Sequence, residues 1–184
     1  EQADSPFGQY TGAATIFGAS GGVAEAAART AYYLVTGENL PNDDIEGMRG
    51  VDQSTYCKNV ELDIKGTKVK VRVVSTLNEA EKAIQEIIAG KADFQLLEVM
   101  ACPGGCVNGG GQPVSCNTPE LRKRRAEGLY EEDLKGVQHR RSHENSDVKK
   151  LYDEYLDKPG SEKAHHLLHT TYSDLFKGSY KDVK

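Results

Sequence analysis

The sequence predicts an α/β fold, in which a mixed sheet made of a hairpin and a central strand is flanked by helices and followed by a helical C-terminal tail. Three observations support this prediction. Residues 60–74 alternate between apolar and polar side chains around a Lys-Gly-Thr turn, which is typical of a β-hairpin. Helical patterns lie on both sides of that hairpin. An apolar run at 94–100 then leads into a glycine-rich loop, as a buried strand would.

The first elements are a short strand at 15–17 and a helix over 23–36. The strand is predicted from Thr15-Ile16-Phe17, which runs into the turn Gly18-Ala19-Ser20-Gly21-Gly22. Ser20 is the candidate N-cap of the alanine-rich helix, and Gly37 is expected to end it. A glycine-rich turn before a helix attracts anions, but this one lacks the full Walker or dinucleotide pattern.

The hairpin is predicted from strands at 60–64 and 69–74, joined by a turn at 65–67. The next helix is expected to begin with Asn78 as its cap and to stop at Gly90, with an apolar stripe of alanine and isoleucine. The strand at 94–100 then places the glycine-rich loop at a strand's carboxyl end. Ligand sites of α/β proteins usually lie there.

The tail is predicted to be helical. Thr118 and Pro119 fit the N-cap and first position of a helix, and two shorter amphipathic helices follow at 145–156 and 161–172, separated by Lys158-Pro159-Gly160. We therefore expect two parts, residues 1–117 with the sheet and the cysteine loop and residues 118–184 as the tail.

Composition limits the function classes. The chain has 184 residues, 38% hydrophobic and 28% charged, which fits a globular protein with a real core. A net charge of −5 argues against a nucleic-acid partner. No apolar run reaches membrane-spanning length, and the first residues do not form a signal peptide. Four cysteines in a chain this long do not make a disulfide framework, so reduced thiols in the cytoplasm are expected.

The loop Cys102-Pro103-Gly104-Gly105-Cys106 carries the main candidate chemistry. Cysteine thiolates hold iron–sulfur clusters, glycine lets the backbone approach a bulky group, and consecutive amide groups suit an anion. The alternative is a tight turn with two ordinary buried cysteines, because this spacing is not a strong zinc pattern. Two sulfurs cannot complete a four-ligand site by themselves. Cys57 and Cys116 are interpreted as structural thiols.

Four stretches together resemble the [FeFe]-hydrogenase family. They are Met-Ala-Cys-Pro-Gly-Gly-Cys-x-x-Gly-Gly-Gly-Gln-Pro at 100–113, Ile-Phe-Gly-Ala-Ser-Gly-Gly-Val at 16–23, Arg-Arg-Ser-His-Glu-Asn at 140–145 and Leu-Leu-His-Thr-Thr-Tyr at 167–172. Their order and spacing also match the family. The tail is similar to the small-subunit segment of some iron hydrogenases, here in one chain with the cysteine loop.

The resemblance implies half of a two-lobed iron hydrogenase domain whose cofactor is the H-cluster, a [4Fe-4S] cube joined to a two-iron subcluster that carries CO, CN⁻ and a bridging dithiolate. Cys102 would ligate the cube, and Cys106 would ligate the cube and bridge to the two-iron unit. Phe17 and Met100 would be apolar neighbours of that unit. The backbone of Gly18 and Gly105 would lie against the cofactor.

The resemblance also implies partners, because the family's earlier cysteine motifs are absent from this sequence. We expect a complementary N-terminal half, as a separate chain or segment, to supply the remaining ligands. Ferredoxin or another redox subunit would carry electrons, and H2 and protons would be the substrates. The alternative is a non-catalytic hydrogenase-like iron–sulfur protein with a cluster-assembly or H2-sensing role. Those relatives tend to have serine after the proline, where this chain has Gly104 and Gly105.

Overall fold

The computed structural model describes residues 4, 7–50, 52, 54–113 and 118–170. The chain divides into two compact units. One is Gln9–Asn145, and the other combines Glu1–Gly8 with Ser146–Lys184. The first unit contains the sheet and the cysteine loop, so it is the part that positions the candidate site.

The sheet has three strands, β1 (Cys57–Ile64), β2 (Thr67–Ser75) and β3 (Leu96–Met100), in the order β1-β2-β3. β1 and β2 form the predicted antiparallel hairpin, whose turn uses Gly66 at φ +88°. β3 pairs in parallel with β2, and the register places Ser75 opposite Met100. The predicted mixed sheet is therefore confirmed, and the carboxyl ends of β2 and β3 lie side by side.

The first long helix, α2 (Gly22–Thr36), packs on one face of the sheet through its alanines. Ala24 and Ala28 join Val71, Val73 and Met48 in one buried cluster. The small side chains let the helix approach the strand closely, and burial of this apolar area drives the packing. As predicted, the helix ends at Gly37, whose φ of +74° lets its N–H donate to the Tyr33 carbonyl at 2.8 Å.

The helix α3 (Leu77–Ile88) covers the opposite face with Ala80 and Ala83. Its cap is Thr76, whose hydroxyl accepts from the Glu79 N–H at 3.4 Å. The expectation that Asn78 caps this helix was wrong, because β2 ends at Ser75 and the first helical turn has already begun by residue 77. The predicted stop at Gly90 is confirmed by its φ of +67°.

The segment before α2 is helical and not a strand. It consists of α1 (Gly12–Thr15) and a single 3-10 turn, Ile16–Gly18. Gly12 and Ala13 donate their N–H groups to the carbonyls of His139 and Arg140 at 2.9 and 2.8 Å, which fixes the start of α1. The predicted strand at 15–17 is therefore wrong, since a three-residue apolar run cannot distinguish a strand from a buried helical turn.

Charged side chains fasten α2 to the loops around it. Arg29 is fully buried and pairs with Glu25 at 2.8 Å and with Asp133 at 2.9 Å. Arg140 reaches the same Asp133 at 2.6 Å and Asp44 at 2.7 Å. Hydrogen-bonded partners thus satisfy these buried charges. The network also joins three separate stretches of the chain.

The helix α4 (Pro119–Glu131) begins as predicted, with the Thr118 hydroxyl accepting from the Leu121 N–H at 3.2 Å. In this first unit α4 contacts the turn at 16–18 through Leu129, whose Cδ1 lies 2.7 Å from the position that a Cβ on Gly18 would occupy. Gly18 therefore allows the close approach of this helix to the turn that precedes α2.

The second unit contains two short helices, which confirms the predicted helical tail as far as it is described. They are α5 (Ser146–Leu151), continued by a π-turn to Leu156, and α6 (Glu162–Leu168), capped by the Ser161 hydroxyl. The predicted helix end at 172 and Cys116 lie outside the described residues. The domain boundary at 117/118 stays a prediction, since the compact units divide between residues 145 and 146.

Candidate iron–sulfur site

The cysteine loop begins where β3 ends, at the carboxyl edge of the sheet, as the sequence predicts. Cys102 is half-buried and Cys106 is exposed, and both are free thiols. Cys106 opens a single 3-10 turn, Cys106–Asn108, which Val107 anchors by its burial. The two sulfur-bearing residues therefore flank a short glycine bend at the surface of the first unit.

Glycine is required at Gly105 because the backbone of the loop touches the backbone of the turn before α2. A Cβ on Gly105 would lie 2.7 Å from the Ser20 nitrogen and 2.9 Å from the Gly18 oxygen, and its φ is +95°. An L-residue would be strained there in both respects. This contact brings together two of the stretches on which the hydrogenase resemblance rests.

A pair of buried hydroxyls lies behind the bend. Ser20 and Ser75 are fully buried, and their hydroxyl oxygens are 2.6 Å apart. Gly104 donates its N–H to the Ser75 hydroxyl at 3.2 Å and accepts from the Ser20 N–H at 3.0 Å. The polar groups of Gly104 are thus bonded to the turn before α2 and to the end of β2.

Glu98 on β3 caps the N-terminus of α2. Its carboxylate accepts from the N–H of Gly21 at 2.6 Å and of Ala24 at 2.7 Å. Burial raises the pKa of Glu98, and these backbone donors oppose that rise. The expectation that Ser20 caps α2 was wrong, because Ser20 is engaged with Ser75 and the cap comes from a strand 77 residues further along the chain.

The other predicted site residues lie around this loop. Phe17 belongs to the 3-10 turn beside Gly18 and is 44% exposed, so part of its ring is accessible at the surface of this turn. Met100 is half-buried and is the last residue of β3. The ligand and contact roles of all six predicted residues stay predictions. Sequence reasoning missed Ser75 and Glu98, although Glu98 stands on the predicted strand that leads to the loop and Ser75 directly follows the predicted strand at 69–74.

The donor set fits part of an iron–sulfur cluster. Two free thiols are present, and within the described residues the N–H groups of Cys106 and Val107 have no hydrogen-bond acceptor. Unbonded amides of this kind suit a negatively charged group. No group of three or more candidate metal ligands occurs in the part of the chain that the structure describes. The loop can therefore hold one side of a cluster and needs ligands from elsewhere for the other.

A cavity of about 690 Å³ lies between the loop and α4. Pro103, Gly104 and Val107 line it on one side and Tyr130 on the other. The Tyr130 hydroxyl is buried without a hydrogen-bond partner among the described residues, and burial raises the pKa of this phenol. The described lining of the cavity includes neither cysteine nor histidine, so it adds no thiolate or imidazole ligand to those of the loop.

Two family models match the chain. The model described as "Iron only hydrogenase large subunit, C-terminal domain" matches residues 1–110, and the model described as "Iron hydrogenase small subunit" matches residues 119–175. The first match includes both cysteines of the loop and the turn that contacts it. The second begins with α4.

Curated relatives and solved structures agree with these models. The NADP-reducing hydrogenase subunit HndD of Solidesulfovibrio fructosivorans is 46% identical over 94% of this chain and 28% of its own length. Iron hydrogenase 1 of Clostridium pasteurianum is 37% identical over 93% of this chain and 30% of its own length. A structure of the [FeFe]-hydrogenase HydA1 from Chlamydomonas reinhardtii matches with a TM-score of 0.62 and 36% identity, covering 85% of this chain and 45% of that one.

A second class of relatives is also similar to the chain. The cytosolic Fe-S cluster assembly factor narfl of Danio rerio is 34% identical over 66% of this chain and 31% of its own length. The chain thus spans less than a third of the length of these curated relatives. None of the described helices combines the length and the apolar character that a membrane crossing requires.

Proposed function

The chain belongs to the iron-only hydrogenase family, and on this premise we propose that it is the C-terminal part of a hydrogenase catalytic domain. In this proposal it supplies two of the cysteine ligands of an H-cluster that oxidises H2 and reduces protons. The observation that carries the proposal is the contact between the cysteine loop and the turn at 16–22, where the backbone of Gly105 lies against Gly18 and Ser20. This contact joins the cysteine loop to the turn at 16–22, and both stretches are among those on which the resemblance to the family rests.

The two thiols have different roles in this proposal. Cys102, which is half-buried, would ligate the [4Fe-4S] cube, and Cys106, which is exposed, would ligate the cube and bridge to the two-iron subcluster. When bound, the cluster supplies the redox chemistry of H2 at its iron atoms, including the unit that carries CO, CN⁻ and the dithiolate. The chain's own task is to position the sulfurs, to offer to negative charge the loop amides that have no acceptor among the described residues, and to exclude water with Phe17 and Met100.

The proposal requires a complementary N-terminal half. Among the described residues two thiols flank the glycine bend, whereas a cube takes four ligands. The short share of each relative that the chain covers supports the view that the remaining ligands lie in another chain or segment. We propose further that residues 1–117 form the cysteine-bearing lobe and residues 118–184 a small-subunit-like tail, that ferredoxin or another redox subunit exchanges electrons, and that the protein is cytoplasmic. The small-subunit model that begins at residue 119 supports this division.

Cysteine substitutions in the complete assembly test the ligand assignment. Cys106→Ala is expected to abolish H2 turnover and Cys102→Ala to remove the cube, measured by hydrogen production and by the iron content of the purified protein. Cys57→Ala is the matched control, because Cys57 is a half-buried thiol at the start of β1 and burial raises its pKa. Normal turnover in the Cys106 variant would refute the bridging role.

Reconstitution of the single chain tests the need for the other half. With iron and sulfide alone, the chain is expected to give little stable cube and no H2 activity. Robust turnover from the chain by itself would contradict the proposal.

The second candidate function is a non-catalytic one, in cluster assembly or in H2 sensing, and the similarity to the Danio rerio assembly factor favours it. The two functions predict different spectra. An H-cluster gives infrared bands of iron-bound CO and CN⁻, whereas a protein that carries only cubes gives none. Bands in the complete assembly would support the hydrogenase, and their absence from a fully loaded protein would favour the alternative.

A further inference from the structure

We propose that Ser75 and Ser20 are positioning residues that fix the bend between Cys102 and Cys106, and so set how firmly the loop holds an iron–sulfur cluster and at what reduction potential. This inference rests on the proposed function for the cluster itself. The inference starts from the hydrogen bonds between the bend and the two serines, which the protein makes without any cofactor.

Hydrogen bonds hold the bend at Gly104, and the side of Gly104 where a Cβ would point is open. Gly104 has a φ of +85°, and no atom lies within 4 Å of the position that a Cβ there would occupy. The neighbouring Gly105 is different, since the turn at 18–20 presses directly on it. The conformation of Gly104 therefore depends on the bonds that its N–H and C=O groups make.

Those bonds end on two buried serines. The Gly104 N–H donates to the Ser75 hydroxyl at 3.2 Å, the Ser20 N–H donates to the Gly104 carbonyl at 3.0 Å, and the two hydroxyls share a bond of 2.6 Å. Both serines have zero exposure, so water cannot replace a missing partner without rearrangement. The bend is thus tied at once to the turn before α2 and to the end of β2.

The two hydroxyls contribute unequally. Ser75 is the direct acceptor for Gly104, whereas the Ser20 side chain acts on the loop only through Ser75. Loss of the Ser75 hydroxyl should therefore loosen the bend, although the Ser20 N–H still bonds the Gly104 carbonyl, and loss of the Ser20 hydroxyl should loosen it less. Because the two act in series, removing both should do little more than removing Ser75 alone.

A loosened bend would hold a cluster less well. We expect the spacing of the two thiols to follow from the bend, and likewise the direction of the Cys106 and Val107 N–H groups, which have no acceptor among the described residues. Groups that orient metal ligands typically change metal affinity about 10–100-fold when they are removed. The reduced cluster carries one more negative charge than the oxidised one, so disordered amides should weaken its binding more and lower the reduction potential.

The first experiment uses the protein without metal. Hydrogen exchange of the peptide that contains residues 102–106, followed by mass spectrometry, is expected to be about tenfold faster in Ser75→Ala and about threefold faster in Ser20→Ala, with the double variant equal to Ser75→Ala. Thr30→Ala is the matched control, since it removes a half-buried hydroxyl that bonds His143 at 3.2 Å, away from the loop. Wild-type exchange in Ser75→Ala would overturn the proposal.

The second experiment uses the complete, cluster-loaded assembly. In Ser75→Ala we expect chelator-driven iron release to be about tenfold faster and the reduced cluster to be bound about tenfold less tightly relative to the oxidised one, which is a potential about 59 mV more negative for one electron. Ser75→Cys fills the site with a slightly larger side chain that is only a weak hydrogen-bonding group, and it should resemble Ser75→Ala; it replaces that variant if alanine prevents folding. An unchanged release rate and potential would also overturn the proposal.

The outcome distinguishes this inference from the proposed function. If Cys102→Ala and Cys106→Ala leave the cube in place, the ligand assignment fails whatever the serine variants do. If both cysteines are needed but Ser75→Ala has the hydrogen-exchange rate, the iron-release rate and the reduction potential of the wild type, the ligand assignment stands and the role of the serines is refuted.

Discussion

Alanine at Gly105 is expected to destabilise the protein far more than alanine at Gly104, although the two glycines are adjacent. Both have a positive φ, +85° at Gly104 and +95° at Gly105. They differ in their surroundings, because a Cβ would meet open space at Gly104 and the backbone of the turn at 18–20 at Gly105. The pair therefore separates the cost of backbone conformation from the cost of lost contact.

The magnitude follows from that difference. An L-residue in the left-handed region costs about 1–2 kcal/mol, and this is the whole expected cost at Gly104. At Gly105 the new Cβ would lie 2.7 Å from the Ser20 nitrogen, so the turn must move. Overpacking costs about 1–3 kcal/mol, and breaking the bond between Ser20 and Gly104 costs about 1 kcal/mol more. We expect a difference between the two variants of about 2–4 kcal/mol.

Urea unfolding followed by circular dichroism measures this difference. With a denaturant dependence of about 2 kcal/mol per molar urea, the midpoint for Gly105→Ala should lie about 1–2 M below that for Gly104→Ala. Gly110→Ala serves as a control, because a Cβ there has no neighbour within 4 Å and φ is not positive. Equal midpoints for the Gly104 and Gly105 variants would refute the view that close backbone contact joins the cysteine loop to the turn before α2.

Two further predictions concern buried carboxylates. Burial raises the pKa of Glu98, although hydrogen bonds from its backbone donors oppose this rise. The native state therefore binds more protons than the unfolded state above about pH 4. The contribution of Glu98 to stability should be greatest in acid and should fall as pH rises through the native pKa. The difference in unfolding free energy between wild type and Glu98→Gln, measured from pH 4 to 8, should therefore shrink with rising pH, and a difference that grows would contradict this reasoning. Asp133 behaves in the opposite way, because although burial alone would raise its pKa, hydrogen bonds from Arg29 and Arg140 lower it. The contribution of Asp133 to stability is present above about pH 4 and is lost as pH falls through the lower native pKa. Asp133→Asn should therefore lower the free energy of unfolding by about 3 kcal/mol at pH 7 and by much less near pH 2. A loss of stability that does not depend on pH would show that the ion pairs do not cause it.

Local signals predicted much of the fold. Gly37 and Gly90 end their helices with positive φ, and Thr118 caps α4 with its hydroxyl, because these roles depend on residues within one turn of each other. The hairpin of β1 and β2 was equally readable, since its alternation and turn lie in one short stretch. The position of the cysteine loop at the end of β3 followed from the same kind of pattern.

Features that depend on distant partners were not predicted. The segment at 12–18 is helical because the carbonyls of His139 and Arg140 hold its first N–H groups, and nothing near residue 15 indicates those partners. Glu98 caps a helix 77 residues earlier in the chain, and Ser75 meets Ser20 across 55 residues. One signal of such a role was present in the sequence, which was the polar residue Glu98 on the predicted strand next to the candidate site. That signal did not indicate which residues Glu98 would bond.

The cap on α2 has a consequence for the order in which the polypeptide acquires its structure. The first turn of this helix cannot obtain its acceptor until β3, far along the chain, has docked beside β2. Closing such a long loop is slow, because the chain loses conformational entropy before any stabilising contact forms. During synthesis, the beginning of α2 should therefore fray until residue 98 has left the ribosome, so the surface that faces the thiols would form only after β3 is in place.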